Sequence, residues 1–566
     1  MIVATTYRTC PASGLQFEAH AEKLMKWNAV VAVLWLLVGG IGALGVIMTR
    51  WPAFKLLPAD QFYTILTAHG IDMLLMWILH FEMAVLYFAS SVLLRCRIWA
   101  PKLGWGGFWL MVIGGLMTNV AIFQGESSVM FTSYVPMQAA PHFYLGLILV
   151  AVGSLIGCAI FFGTLVVAKK DKTYTGSIPM VTFGALTAAI IAVFTILSGA
   201  GILIPTFLWS VGLIKEIDAQ LYRMVWWALG HSSQQINVAA HVSIWYLIPA
   251  IVIGAKPLSE KVSRGAFLLY ILFLQLASAH HLLSDPGMSA EWKVLNTSYF
   301  MYFAVMASMI HGFTVPGAVE AAMRRKGFNN GLFEWLRKAP WGNPAFAGMF
   351  ISLVSFGFLG GISGVVLGTE QINMLMHNTF YVPGHFHTTV VTGTTLAFMA
   401  VTYLLVPTLF RRKMIWPKLC QIQPYLFGIA MSITGLVMMG AGTLGVSRRH
   451  WDMAFSGAPF QYEWPGAAYL MMGMTGFFGV ITIIGGALWI VLVVGSLLFG
   501  EKLDGGAVSD KPTPIPAATP AAAASHHGSD HVAVPGTVIL ALALLVAFVL
   551  YYYVNWKYLS EVWLLS

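Results

Sequence analysis

Long apolar segments alternate with short polar loops along almost the whole chain. Thirteen of these segments approach or exceed the ~20 residues that a helix needs to cross the hydrocarbon core of a bilayer. They lie at 27–49, 63–94, 104–123, 143–168, 180–204, 218–254, 265–283, 294–323, 344–367, 372–409, 422–446, 466–499 and 535–556. The residues before the first segment are mixed and polar, without the short apolar core of a cleavable signal peptide. The pattern predicts an all-α polytopic membrane protein with about thirteen transmembrane helices.

Composition supports this class of protein. Of 566 residues, 58% are hydrophobic and only 9% are charged, whereas a soluble globular chain carries about 25% charged residues. The net charge of +9 is explained by membrane topology. Most Lys and Arg residues lie in the loops on one side of the predicted membrane. By the positive-inside rule, that side and the N-terminus are cytoplasmic. We expect contact with membrane lipid and no nucleic-acid partner.

The chain divides into three predicted regions. Residues 1–500 form a twelve-helix core, 501–535 are an Ala- and Pro-rich linker, and 536–566 hold a thirteenth transmembrane helix with an outer tail. The four cysteines, Cys10, Cys96, Cys158 and Cys420, are widely separated. No Cys-x-x-Cys-His motif occurs, so neither a covalently attached haem nor a paired-cysteine metal site is expected.

Two histidines, His385 and His387, lie in the apolar segment 372–409. Each residue of an α-helix turns about 100°, so these side chains point in nearly opposite directions. They cannot share one metal ion, but each can hold a different planar cofactor on its own face of the helix. The alternative is a pair of buried histidines that donate hydrogen bonds to the backbone.

The predicted topology places six histidines at a similar depth, in the outer half of the bilayer: His69, His231, His280, His281, His385 and His387. Ionisable groups inside a membrane are costly and usually functional. Neutral imidazole is a good ligand for haem iron, copper and non-haem iron. His231, His280 and His281 can supply a three-nitrogen metal site with open positions. His385 or His387 can bind one haem iron, and His69 can pair with the other histidine across a second haem.

Four stretches carry a resemblance to a known family. They are Ser278-Ala-His-His-Leu-Leu-Ser-Asp-Pro-Gly287, Gly331-Leu-Phe-Glu-Trp-Leu-Arg337, Asn343-Pro-Ala-Phe346 and His377-Asn-Thr-Phe-Tyr-Val-Pro-Gly-His-Phe-His387. With these motifs and thirteen spans, nearly the whole chain resembles subunit I of the haem–copper oxidase superfamily, and specifically its B-type branch. The fold implied is the haem–copper oxidase subunit I fold.

The resemblance implies a role for each histidine. It makes His69 and His387 the axial ligands of a low-spin haem and His385 the axial ligand of a high-spin haem. It makes His231, His280 and His281 the ligands of a second metal, copper or non-haem iron. The pair Arg448 and Arg449 matches the arginines that bind haem propionates, a task suited to the bidentate guanidinium group. The haem types, a or b, stay open.

Three positions depart from the family pattern. Oxygen-reducing members carry a tyrosine four residues after the first metal-ligand histidine, covalently joined to a histidine ligand, whereas this chain has Gln235 there. Nitric oxide reductases of the superfamily lack that tyrosine. The carbonyl oxygen of Gln235 can ligate the metal weakly or bond a nitrogen-oxide intermediate. Asn373 stands where B-type oxidases tend to have an acid near a propionate, and with His377 it is a candidate cofactor-binding residue. His311 replaces a hydroxyl of the family's proton path.

Protons must reach a buried site. Tyr246 on the sixth span and Ser308, His311 and Thr314 on the eighth resemble the family's proton path through those two helices. The alternative is that these hydroxyls and His311 serve helix packing.

We therefore predict the catalytic subunit of a membrane nitric oxide reductase. It reduces two nitric oxide molecules to nitrous oxide and water at a high-spin haem and second metal, fed by a low-spin bis-histidine haem. The catalytic candidates are Gln235, His231, His280 and His281. The alternatives are a B-type terminal oxidase (cytochrome c oxidase) that reduces dioxygen to water, and a non-catalytic haem electron conduit or sensor.

No electron donor is encoded in recognisable motifs. We expect a partner subunit on the outer face, with a two-copper domain or a cytochrome c, to deliver electrons to the low-spin haem. The expected location is the inner (plasma) membrane of a prokaryote.

Overall fold

The computed structural model describes residues 6–274, 276–513 and 532–562. Within them, thirteen long helices follow one another in chain order. We label them α1 (Ala19–Arg50), α2 (Ala59–Val92), α3 (Pro101–Phe123), α4 (Pro141–Lys170), α5 (Met180–Ser210), α6 (Ala219–Ile253), α7 (260–274), α8 (Ala290–Arg325), α9 (Pro344–Gly368), α10 (Tyr381–Leu409), α11 (Pro417–Thr443), α12 (Gly466–Phe499) and α13 (Pro535–Val562). Short helical segments lie at Ala277–His281, Glu334–Arg337 and Glu370–Met376. The all-α prediction is confirmed.

Twelve of the described helices, all but α7, are long and apolar enough to cross a membrane. The predicted seventh span, 265–283, contains more than one kind of helical turn. Helix α7 covers 260–274 and ends in a π-helical stretch, residue 275 lies outside the described residues, residue 276 is α-helical, and a 3-10 turn follows at Ala277–His281. That tighter turn brings the carbonyl of Ala277 beside Nδ1 of His280, which donates a hydrogen bond to it. The predicted span therefore ends in a tighter turn that carries both histidines.

The predicted tenth span, 372–409, is divided in the structure. The helix Glu370–Met376 stops before His377, and α10 begins at Tyr381. Asn378 adopts a left-handed conformation with φ of 60°, which Asn tolerates better than most residues. Its carbonyl accepts a hydrogen bond from the backbone of Arg448, and the backbone of Phe380 donates to Val446. The break thus attaches the start of α10 to the loop that carries the arginine pair.

The first part of the predicted linker contacts the core. A three-stranded antiparallel sheet has the order β2-β1-β3, from β1 (Tyr7–Thr9), β2 (Gln16–Glu18) and β3 (Val508–Ser509). The backbone of Glu501 also accepts a hydrogen bond from Lys413. Residues 514–531 of the predicted linker lie outside the described residues, so the boundaries of the three regions stay predictions.

A buried carboxylate holds the last helix in place. Glu320 of α8 is fully buried and accepts hydrogen bonds from the backbone of Gly536 and Thr537 at the start of α13. These amides have no partner within their own helix, and the positive end of the helix dipole favours a carboxylate. Arg324, one turn along α8, pairs with the same carboxylate at 2.8 Å.

Candidate metal and haem centre

One cavity of about 670 Å³ lies inside the bundle. Its wall contains all six predicted histidines, and also Gln235, Ser308, Arg448 and Arg449. The histidines come from α2, α6 and α10 and from the 3-10 turn after α7. The structure therefore brings together groups that are more than 300 residues apart in the chain.

Two imidazoles face each other across part of this cavity. The rings of His69 and His387 are nearly parallel, at 17°, with 6.5 Å between their centroids. Nδ1 of His69 donates to the carbonyl of Gly39 at 3.0 Å, and Nδ1 of His387 donates to the carbonyl of Pro383 at 2.7 Å. These bonds orient both rings and leave both Nε2 atoms as the nitrogens available to a metal. The pair fits the two axial positions of one haem iron.

His385 is oriented in a different way from His387. It lies in the regular first part of α10, Tyr381–Phe386, whereas His387 begins a π-helical stretch, His387–Thr395. Nδ1 of His385 donates to the hydroxyl of Ser363 at 2.9 Å, so Nε2 remains for an iron. A Cβ atom added to Gly364 would lie 3.1 Å from Cε1 of His385, so the glycine lets α9 approach this ring. The residues fit one axial ligand of a second haem.

The three remaining histidines form a compact cluster. One nitrogen of each of His231, His280 and His281 lies within 4.8 Å of the others, as a shared metal ion requires. Nδ1 of His231 and Nε2 of His281 are 3.2 Å apart. Since Nδ1 of His280 bonds to the backbone, its Nε2 is free for the metal. The donor set, three imidazole nitrogens with an open side on the cavity, suits copper or iron.

Two neighbouring contacts hold this cluster. The indole of Trp227 stacks on the ring of His281, with centroids 3.7 Å apart and planes at 9°. After the histidine turn, Asp285 forms a bidentate ion pair with Arg223 of α6. Nε and Nη2 of the arginine lie 2.6 and 2.9 Å from the two carboxylate oxygens. Both contacts fasten the histidine turn to the helix that carries His231.

Gln235 lies one helical turn from His231. Its amide nitrogen is 3.0 Å from Nε2 of His231, the ring nitrogen that does not face His281. The sequence suggested that this side chain ligates the metal or contacts an intermediate. In the structure it contacts the outer nitrogen of a histidine in the cluster.

The arginine pair lies at one end of the cavity. Neither Arg448 nor Arg449 forms an ion pair with a carboxylate of the described residues, and both line the cavity. Burial lowers the pKa of Arg448 to about 10, and the charge of Arg449 acts in the same direction. Two half-buried cations that pair with no carboxylate of the described residues fit the carboxylates of a bound haem. Arg50, which sequence reasoning did not select, also lines the cavity and donates to the backbone carbonyls of Arg448 and His450.

The side chains of the predicted proton path form two hydrogen-bonded groups. The hydroxyl of Tyr246 lies 3.0 Å from Nδ1 of His311 and 2.7 Å from the hydroxyl of Thr314. It also lies 3.0 Å from the hydroxyl of Ser263 on α7. Tyr270, two turns further along α7, lies 3.0 Å from Ser308, and Ser308 lines the large cavity.

Sequence reasoning missed Ser263, Tyr270 and His241. Ser263 and Tyr270 are seven residues apart, a spacing that places two polar groups on one face of a helix. His241 is fully buried in α6, with Nδ1 3.0 Å from the hydroxyl of Thr394. As a histidine inside a membrane span, it was also recognisable as a candidate.

Asn373 and His377 do not line the cavity. The amide of Asn373 donates to the backbone carbonyls of His280 at 3.2 Å and Leu367 at 2.6 Å, so it supports the turn that carries a metal histidine. His377 lies in the break before α10. A contact of either residue with a cofactor stays a prediction.

A helical membrane bundle that encloses two opposed imidazoles, a third single imidazole and a three-histidine cluster defines a membrane-bound redox enzyme. Residues 23–501 match the sequence profile of the family described as cytochrome c and quinol oxidase polypeptide I. The chain belongs to this family, subunit I of the haem–copper oxidases.

Similar proteins agree with this assignment. Cytochrome c oxidase subunit 1 of Thermus thermophilus is 29% identical over 450 residues, which cover 76% of this chain and 78% of the relative. Cytochrome c oxidase subunit 1 of Bacillus sp. PS3 is 25% identical over 519 residues, 86% of this chain and 77% of the relative. A solved structure of a heme-copper terminal oxidase dimer shares the fold, with a TM-score of 0.81 and 24% identity, over 94% of this chain and 91% of that one.

Proposed function

We propose that this chain is the catalytic subunit of a membrane nitric oxide reductase of B-type ancestry. The observation that carries the proposal is the identity of position 235. Gln235 stands one turn from His231 in the cavity wall, where the resemblance implies a cross-linked tyrosine in oxygen-reducing members. No tyrosine is present among the described residues that line the cavity, so no other phenol takes its place there.

The difference matters because the two reactions need different numbers of electrons. Cleaving dioxygen to water takes four electrons, one of which the tyrosine supplies in oxygen-reducing members. Coupling two nitric oxide molecules to nitrous oxide and water takes two electrons and two protons. Bound haems and the second metal would supply electrons and Lewis-acid activation. The chain's own residues orient the ligand nitrogens, bind the haem carboxylates and deliver protons.

The second candidate function is reduction of dioxygen by a terminal oxidase, which the names of the relatives favour. We expect nitric oxide turnover to exceed dioxygen turnover by at least about tenfold, equivalent to ~1.4 kcal/mol in activation free energy. The measurement is steady-state consumption of each gas by one preparation, with nitrous oxide detected as product. The variant His281→Ala corrects for non-enzymatic loss of nitric oxide. Faster dioxygen reduction with no nitrous oxide would show that the chain is an oxidase.

We propose that Tyr246 transfers protons from Ser263 to His311 and Thr314. We expect Tyr246→Phe to lower turnover roughly a hundredfold, the lower range for a positioned proton-transfer group, because one hydroxyl makes all three contacts. Haem spectra should not change. The matched control is Tyr403→Phe, which removes a buried hydroxyl bonded to Gln423. Equal turnover in the two variants would mean that the Tyr246 cluster serves packing alone.

We also infer that a partner subunit delivers electrons at the end of the bundle that holds Arg448 and Arg449. The donor is a two-copper domain or a cytochrome c. The inner membrane of a prokaryote, with a cytoplasmic N-terminus, remains the location we propose.

A further inference from the structure

The contact between Gln235 and His231 has a chemical consequence for the metal cluster. His231 has two ring nitrogens with different surroundings. Nδ1 lies 3.2 Å from Nε2 of His281 and points into the cluster, whereas Nε2 lies 3.0 Å from the amide of Gln235. Of the two nitrogens, Nδ1 is therefore the one placed to bind a metal shared with His280 and His281.

A histidine that binds a metal through Nδ1 must carry its proton on Nε2. That N–H needs an acceptor, since a buried donor without a partner costs about 1–3 kcal/mol. Gln235 is mostly buried, as is His231. A half-turn of the terminal amide places Oε1 where Nε2 of the glutamine stands, so the carbonyl oxygen accepts the proton at the same distance.

We propose that Gln235 is a positioning residue: it accepts a hydrogen bond from Nε2–H of His231 and thereby selects the tautomer that binds the second metal through Nδ1. It acts through His231 and does not itself ligate the metal. The inference rests on the three-histidine metal site of the proposed function, but it holds whether the substrate is nitric oxide or dioxygen.

The test is metal affinity. Purified enzyme is equilibrated against a graded chelator series, and bound copper or iron per chain is measured by mass spectrometry. Loss of a partner that orients a ligating histidine costs 10–100-fold in metal affinity. We expect Gln235→Leu, which keeps the bulk and removes the acceptor, to weaken binding by about this factor. Gln235→Glu keeps an acceptor oxygen at the same position, and we expect affinity equal to or tighter than that of the native enzyme.

Gln234→Leu is the matched control. This neighbouring side chain also lines the cavity, but its own hydrogen bonds are to Ser233 and Asn237. We expect it to leave metal affinity within about threefold of the native value, well below the change expected for a lost orienting bond. Native affinity in Gln235→Leu, or equal losses in the leucine and glutamate variants, would overturn the proposal.

A substitute variant and a spectroscopic measurement test the same hydrogen bond. If Gln235→Leu fails to assemble with haem, Gln235→Asn replaces it, because its shorter side chain withdraws the acceptor with little change in polarity. In the native enzyme loaded with a paramagnetic ion, electron spin-echo modulation reports the remote ring nitrogens. We expect His231 to show a remote Nε2 whose signal shifts in the glutamate variant. A carbonyl oxygen of Gln235 bound directly to the metal would contradict the assignment.

The outcome is separable from that of the gas-turnover experiment. Failure of the proposed function appears as dioxygen turnover without nitrous oxide. Failure of this inference appears as unchanged metal affinity in Gln235→Leu.

Discussion

Replacing His281 by alanine is expected to abolish turnover while both haems remain bound. The substitution removes one of three nitrogens that lie within 4.8 Å of one another. Losing a residue that only orients a metal ligand costs 10–100-fold in affinity, so losing the ligand itself is expected to lower metal affinity and turnover by more than about a hundredfold. The ring of His281 also stacks on Trp227, and its loss removes this contact while the edge contact of Trp227 with Trp226 remains.

The measurements are metal and haem content of the same preparation, followed by gas turnover. The haem absorption spectrum is the internal control, since neither predicted haem site includes His281. Native turnover with native metal content would place the second metal elsewhere. Loss of both haems would mean that the substitution unfolds the site and that the variant reports stability alone.

Replacing His69 by alanine is expected to remove the low-spin haem and to leave the high-spin site assembled. His69 faces His387 with nearly parallel rings 6.5 Å apart, so only the haem between them loses an axial ligand. His385 is held independently by Ser363. We expect haem content to fall from about two to about one per chain, with loss of the low-spin absorption bands.

His80→Ala is the matched control for this prediction. His80 lies on the same helix, and its Nδ1 also donates to a backbone carbonyl, that of Met76, at 2.9 Å. It is fully buried but does not line the cavity. Its loss should lower stability, by a few kcal/mol at most, and leave two haems in place. An optical spectrum of His69→Ala with both haems intact would contradict the ligand assignment.

The pattern of apolar segments was sufficient to predict the helices, because each span must satisfy its backbone hydrogen bonds internally and face lipid or other helices. It failed where a tertiary contact interrupts the pattern. The segment 372–409 predicts one span, but the helix breaks at Asn378, whose carbonyl accepts a hydrogen bond from the backbone of Arg448.

The sequence was sufficient to predict the types of residue in the candidate site and their depth in the membrane. Histidines inside spans are rare and costly. Their positions in the sequence alone therefore indicated a layer of functional histidines at one depth of the membrane. The family resemblance added their separate roles. Which nitrogen of each ring is available was not predictable, because it depends on partners such as Gly39, Ser363 and Pro383. The same holds for Ser263 and Tyr270, which join the proton cluster only because α7 packs beside α8.

The sequence by itself determined that this is a polytopic helical membrane protein with a layer of histidines inside its spans and without a tyrosine at position 235. These properties follow from local chemistry: hydropathy, spacing and residue identity. The tertiary structure alone decided that six histidines share one cavity, that Arg50 joins the arginine pair, and that Nδ1 of His231 is the nitrogen that faces His281. The physical reason is that hydrogen-bond direction depends on atoms contributed by helices far apart in the chain, and no periodicity along one helix encodes them.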